Sequence, residues 1–159
     1  MKILKGLFLI TALSLLWVSG AKANSNTDQI KENIFEAIRS IDYTSINVLL
    51  SDDVDVNKRD KQGNTPLMVA TEIGNHRILD IILSHDPDIN LHNKEGKTAL
   101  IIAAETGQLQ VVEKLLSHHA DPTIEDENGN TALTLAAKFG HQRIVSFFKK
   151  MRTQPTLTK

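Results

Sequence analysis

The chain has 159 residues and no cysteine. It therefore cannot form disulfide bonds or use a thiol as a nucleophile. It also lacks a G-x-S-x-G sequence and a tight cluster of glycines, which are the usual signs of a serine hydrolase and of a phosphate-binding loop. Aromatic residues make up only 4% of the chain, which disfavours an enclosed pocket for a small ligand. From these absences we expect a protein without catalytic activity and without a cofactor.

Glycine is also scarce, and its positions are regular. The related strings GNTPLMVATEIGN, GKTALIIAAETGQ and GNTALTLAAKFGH begin 33 residues apart. A strict period of this length predicts stacked supersecondary units, in which each glycine has a backbone role. Beyond residue 23 the glycines are Gly63, Gly74, Gly96, Gly107, Gly129 and Gly140.

Each unit has the pattern of two short helices. Thr65 before Pro66 suits a helix N-cap followed by proline at the first helical position, and Gly74 suits the left-handed residue that ends a helix. A second, mostly apolar helix is predicted from His76 to Ser84. Such helices are too short to be stable alone, so they must pack on neighbouring units. The small residues expected at the closest contacts are Ala70, Ala103 and Ala136.

These residues resemble a known repeat. The string D-x-x-G-x-T-P-L-x-x-A from Asp60 to Ala70, the helix-ending Gly74 and the later Asp88-Ile89-Asn90 are similar to the ankyrin repeat. The similarity spans roughly residues 27–151. It implies an all-α repeat solenoid, in which each helix–turn–helix is followed by a projecting finger. We expect units at about 27–59, 60–92, 93–125 and 126–152, the first and last acting as caps, and a flexible tail at 153–159.

The sequence departs from the family pattern at one backbone position in each of the first three units. The glycine that usually follows the second helix is replaced by Asp53, Asp86 and His119. Asp and His are enriched among the non-glycine residues that adopt left-handed backbone. We therefore expect the loop geometry to be retained.

The first 23 residues have the pattern of a secretory signal. Lys2 and Lys5 precede an apolar run over residues 7–18, which is followed by Ala21-Lys22-Ala23, an A-x-A cleavage site. The apolar run is short for a membrane span, and a lipoprotein anchor would need a cysteine. We expect cleavage after Ala23 and a periplasmic protein, or one secreted onward. An uncleaved anchor is the alternative.

The polar clusters suggest no metal centre. A metal site needs three or four converging ligands, and the adjacent pair His118-His119 would tend to diverge. The acidic run from Glu125 to Glu127 lacks the alternating spacing of a calcium loop and is interpreted as a finger tip. Exposed loop positions are favoured over metal binding for His76, His85, His92, His118, His119 and His141.

Charge and family resemblance together indicate the class of partner. Residues 24–159 carry 15 Lys and Arg, which is 18 less the three in the signal, against 19 Asp and Glu, a formal charge of −4. This balance disfavours nucleic acid. The resemblance implies a monomeric protein-binding scaffold without membrane contact after cleavage. The leading hypothesis is that it controls a periplasmic enzyme, such as a cell-wall hydrolase or an oxidative-defence enzyme. The alternatives are a secreted effector that binds a host protein and, less favoured, a protein that binds peptidoglycan or a small ligand.

The resemblance also implies where a partner would bind. Finger tips and the exposed ends of the first helices line a concave groove in this family. Ile73 and Phe139 are informative there, because solubility alone gives no reason to place large apolar groups on the surface. The alternative is that both pack against a flanking finger. The groove residues implied are Arg59, Lys61, Gln62, Asn64, Glu72, Ile73, His92, Lys94, Glu95, Lys97, Glu105, Thr106, Glu125, Glu127, Asn128, Asn130, Lys138 and Phe139.

Overall fold

The computed structural model describes residues 34–52 and 54–153. Within these two ranges the regular structure consists of α-helices, arranged as four successive antiparallel pairs. The expected all-α repeat solenoid is confirmed. The helices are α1 (Ile34–Arg39), α2 (Tyr43–Ser51), α3 (Pro66–Ile73), α4 (His76–Leu83), α5 (Ala99–Glu105), α6 (Leu109–Ser117), α7 (Ala132–Lys138) and α8 (Gln142–Thr153).

The caps of α3 explain why this helix begins and ends where it does. The Thr65 hydroxyl accepts a hydrogen bond from the Met68 N–H, and Pro66 occupies the first helical position, as predicted. Gly74 ends the helix with φ 73°, in the left-handed region. The second helix, α4, ends at Leu83, one residue earlier than predicted, and Ser84 is its C-cap.

The core lies between the helix pairs. Ala70, Ala103 and Ala136 are all fully buried, as predicted, and lie on α3, α5 and α7. The first helices pack on one another along the stack, whereas the second helices contact one another much less. This difference brings the first helices closer together than the second helices. The stack therefore curves, with α3, α5 and α7 on its concave side.

The loops after the second helices use left-handed backbone without glycine. Asp86 has φ 49° and His119 has φ 67°, which confirms the expectation for these two substituted positions. Asp53 lies outside the described residues. The same conformation occurs at Ile41, with φ 59°, which the sequence did not predict.

The last unit closes the stack with an apolar inner face and a basic outer one. Phe148 is buried and Phe147 is half-buried against the core, while Lys149, Lys150 and Arg152 are exposed. Helix α8 ends at Thr153, and the tail predicted beyond it lies outside the described residues. The predicted signal at residues 1–23 also lies outside them. Across residues 34–52 and 54–153, none of the helices has the length and apolar character that a membrane crossing requires.

Candidate binding face

Three fingers and the ends of three helices form one continuous surface, which we call the concave face. Its fingers cover residues 58–64, 91–97 and 124–130, and its helix ends are the last turns of α3, α5 and α7 with their C-caps. All the groove residues that the sequence indicated lie on these segments. They are exposed, except for four half-buried side chains, those of Asn64, Lys97, Glu105 and Asn130.

Each finger is closed by one side chain at its base. The Asp60 carboxylate accepts hydrogen bonds from the backbone N–H groups of Gln62 and Asn64, both at 2.9 Å. Asn93 does the same in the second finger with an amide oxygen, and Asp126 does so in the third. Such side-chain bonds to the backbone two and four residues on hold a turn in one conformation. The fingers are thus ordered without forming a sheet.

Successive fingers are also bonded to each other. The Lys94 N–H donates to the Gln62 carbonyl at 3.1 Å, and 33 residues later the Glu127 N–H donates to the Glu95 carbonyl at 3.0 Å. Arg59 extends this ladder, since its guanidinium donates to the carbonyls of Gly63 and His92. The fingers therefore form one connected row.

Asn64, which the sequence placed among partner-binding residues, uses its side chain within this row. Its amide donates to Asp60 Oδ2 at 3.4 Å and accepts from Asn93 Nδ2 at 2.8 Å. Asn130 is similar, because its amide donates to both Asp126 carboxylate oxygens at 3.0 Å. Both asparagines position the fingers, and their side chains have little hydrogen-bonding capacity left for a partner.

A charge network ties the second finger to α5. Lys97 Nζ lies 3.1 Å from a Glu95 carboxylate oxygen and 2.9 Å from a Glu105 carboxylate oxygen. Desolvation by burial would lower the pKa of Lys97, but hydrogen bonds and charge from Glu105 and Glu95 outweigh it and raise the pKa above its usual value. The Lys97 charge is therefore compensated within the chain, in the centre of the concave face.

Asp126 is a buried carboxylate at the base of the third finger. Only 6% of the residue is exposed. Desolvation would raise its pKa, but hydrogen bonds from Asn130 and Asn128 and the nearby charge of Lys97 together lower it below the usual value. The folded finger therefore favours the ionised form of the Asp126 carboxyl group.

Two large apolar side chains stand exposed at the helix ends. Ile73 is 38% exposed at the end of α3, and Phe139 is 50% exposed at the C-cap of α7, where the Lys138 ammonium lies 5.8 Å from its ring centroid. Both hold the same position in their repeats. Sequence reasoning missed Ile41 and Val48, which are also exposed large apolar residues. The repeat period could have drawn attention to Ile41, because it lies 33 residues before Gly74. Val48 lies on the outer helix α2, away from the face.

Charges on the concave face are ordered along the stack. The first finger presents Arg59 and Lys61, whereas the same positions of the third finger hold Glu125 and Glu127. At the helix ends the order is reversed, with Glu72 on α3 and Lys138 on α7. The face thus has opposite charge patterns at its two ends.

The histidines are mostly exposed. All are exposed except His141, which is half-buried and bonds through Nε2 to the Glu105 carbonyl at 2.9 Å. A carbonyl oxygen is an acceptor only, so this ring nitrogen is the donor. Among the described residues, no group of three or more His, Cys, Asp or Glu side chains is placed to hold a metal ion.

Two family models match the chain. The model described as "Ankyrin repeats (3 copies)" matches residues 34–126, and the one described as "Ankyrin repeat" matches residues 128–153. A search of curated proteins found no match. Ankyrin repeats indicate a protein–protein interaction module, and proteins built from them are generally non-catalytic. The matches cover most of the chain and coincide with the helix pairs and fingers described above, and the chain belongs to the ankyrin-repeat family.

Proposed function

We propose that this protein binds an enzyme of the bacterial periplasm through its concave face and controls that enzyme's activity, stability or location. In this proposal the protein itself is not an enzyme. The observation that carries the choice of surface is the exposure of Ile73 and Phe139 at matching positions two repeats apart. A partner lying along the concave face would cover both side chains.

Large side chains that become buried in a binding surface supply most of the binding energy in many complexes. Ile73 and Phe139 have the size for this role, and the polar fingers beside them would form the rim. The bonds between successive fingers hold the row in one arrangement before a partner arrives. Less conformational entropy is then lost on binding.

The periplasmic location is supported by the sequence alone. The basic residues, apolar run and A-x-A site of the first 23 residues have the pattern of an export signal. A cysteine-free chain also suits an oxidising compartment, because stacked repeats supply their own core without disulfides.

The test is affinity capture of partners from a periplasmic extract with matched aspartate variants. Phe139→Asp places a charge in the proposed contact, whereas Val48→Asp makes a comparable change at a side chain of nearly equal exposure on the outer helix α2 (50% against 51%). The double variant Ile73→Asp, Phe139→Asp should lose capture by about 100-fold or more, roughly 3 kcal/mol. Val48→Asp should bind like the parent chain.

Circular dichroism and thermal melting decide whether a loss of capture is specific. Retained folding with lost capture supports the concave face as the binding surface. Undiminished capture by the double variant would show that the partner uses another surface. Equal loss in Val48→Asp and Phe139→Asp would also contradict the proposal.

A further inference from the structure

The concave face is complementary to itself. The middle repeat unit contains the finger at 91–97 and the end of α5. It separates two outer units whose charged side chains have opposite signs at corresponding positions. At three outward positions a basic residue on one side corresponds to an acidic residue on the other, and at a fourth one apolar residue corresponds to another. The corresponding pairs are Arg59 with Glu125, Lys61 with Glu127, Glu72 with Lys138, and Ile73 with Phe139.

The centre of the face does not oppose such a pairing. Lys97 is compensated by Glu95 and Glu105 within the same chain. Lys94 balances the second of these two carboxylates, so the charged side chains at the centre have no net charge. Thr106, the middle member of the row formed by Ile73 and Phe139, is uncharged.

We propose that two copies of this chain associate through their concave faces, antiparallel, about a two-fold axis that passes through the middle unit. In a two-fold interface each contact occurs twice, because residue i of one copy meets residue j of the other and j meets i. Here the first finger of each copy lies against the third finger of the other. Ile73 lies against Phe139, and the charges of the two outer units are paired.

The apolar residues select this arrangement over a parallel one. If the two-fold axis ran along the stack, each finger would lie against the helix end of the same unit. Lys61 would then meet Glu72, which is also attractive, but Ile73 and Phe139 would meet polar finger tips. The antiparallel arrangement pairs opposite charges and also buries Ile73 against Phe139.

The dimer would occupy the same face as the proposed periplasmic partner. Self-association and partner binding would then exclude each other. The self-association rests only on the charge and apolar order of the face. If it fails, the proposed partner binding is unaffected.

The test uses sedimentation velocity on protein produced from the full coding sequence, with three variants at exposed side chains. Lys61→Glu places glutamate opposite Glu127 and should weaken the dimer by about 10-fold or more. Adding Glu127→Lys restores the antiparallel pair and should return the affinity to within about 3-fold of the parent. Adding Glu72→Lys to Lys61→Glu restores only the parallel pairs, so that variant should remain weak.

The two double variants are matched, since each exchanges one lysine and one glutamate and leaves the net charge unchanged. Thermal melts and circular dichroism verify that both are folded. Recovery in the Lys61→Glu, Glu127→Lys variant alone supports the proposal, as does weaker association in high salt. The proposal is overturned if the parent stays monomeric at about 1 mM, the weakest dissociation constant expected of this interface. Recovery in the Glu72→Lys combination instead, or in neither, also overturns it.

Discussion

Ile41 and Gly74 occupy the same position in successive repeats, 33 residues apart, and both have left-handed backbone, with φ 59° and 73°. The position recurs as Gly107 and Gly140 in the later repeats. Glycine adopts this conformation without steric cost, whereas a β-branched side chain there is strained. The first repeat therefore contains a strained turn that the other repeats avoid.

Replacing Ile41 with glycine is expected to stabilise the protein. Relief of the strain is worth about 1 to 2 kcal/mol, and the greater freedom of glycine in the unfolded chain offsets part of it. The expected gain is about 0.5 to 1 kcal/mol in the free energy of unfolding, measured by urea denaturation. The control is Ile41→Ala, which removes the side chain but leaves most of the strain. A glycine variant less stable than the alanine variant would contradict the explanation.

Gly96 and Gly129 provide a matched pair for the packing of successive fingers. Both have φ 74°, but an added Cβ at Gly96 would lie 2.7 Å from the Glu127 backbone nitrogen, whereas at Gly129 the nearest atom, a carboxylate oxygen of Glu125, would be 3.8 Å away. Both alanine variants bear the left-handed strain, and only Gly96→Ala also pushes the next finger away. We expect Gly96→Ala to be the less stable by about 1 to 3 kcal/mol in chemical denaturation. Equal losses of stability in the two variants would show that the next finger moves aside at no cost in free energy.

Asp126 should make the free energy of unfolding depend on pH. Because its pKa in the folded chain is lowered from the ordinary 3.8, the unfolded chain binds the proton more tightly. Its contribution is therefore complete above the ordinary value and is lost as pH falls through 3.8 to the lowered pKa. Asp126→Asn keeps an amide oxygen for the same backbone bonds, as Asn93 does in the second finger.

The expected cost of Asp126→Asn is about 1 kcal/mol at neutral pH, because hydrogen bonds to an ionised acceptor are stronger than those to a neutral one. The difference from the parent should shrink as the pH is lowered through 3.8 and below. Urea denaturation across that range measures it. A difference that is constant with pH would mean that the charge of Asp126 contributes nothing.

Export would remove the only tryptophan. Cleavage after Ala23 takes Trp17 with the signal and leaves Asn24 at the N-terminus. Intact mass and tryptophan emission of the protein from a periplasmic fraction check this, with the cytoplasmic fraction of the same cells as the control. Tryptophan emission from the purified periplasmic protein would contradict cleavage.

The fold could be predicted from the sequence, because the 33-residue period is visible there and both caps of α3 depend on local residues. Thr65, Pro66 and Gly74 each act within one turn of the helix, so their roles are visible in the sequence. The role of Asn64 was not predictable in this way. Its amide bonds to Asn93 in the next finger, and the distance between fingers is set by the packing of whole repeats.

Ile41 shows a second limit. The period places it at a glycine position, yet local steric preferences argue against left-handed backbone at isoleucine. Packing of α1 against its neighbours fixes the turn despite that preference, and this outcome depends on tertiary contacts. The order of charges along the concave face also could not be interpreted from the sequence alone. The residues are visible in the sequence, but their alignment becomes meaningful only when the fingers are known to form one row.

The bonds between fingers have a consequence for how such a chain can change its length. Each bond joins a residue to one 32 positions away, from Lys94 to Gln62 and from Glu127 to Glu95. Duplication of a whole 33-residue segment preserves every such bond, whereas insertion of a few residues between two bonded positions changes the separation of that pair. Tandem duplication is therefore the least disruptive way to lengthen this protein, and short insertions should be confined to the loops between units.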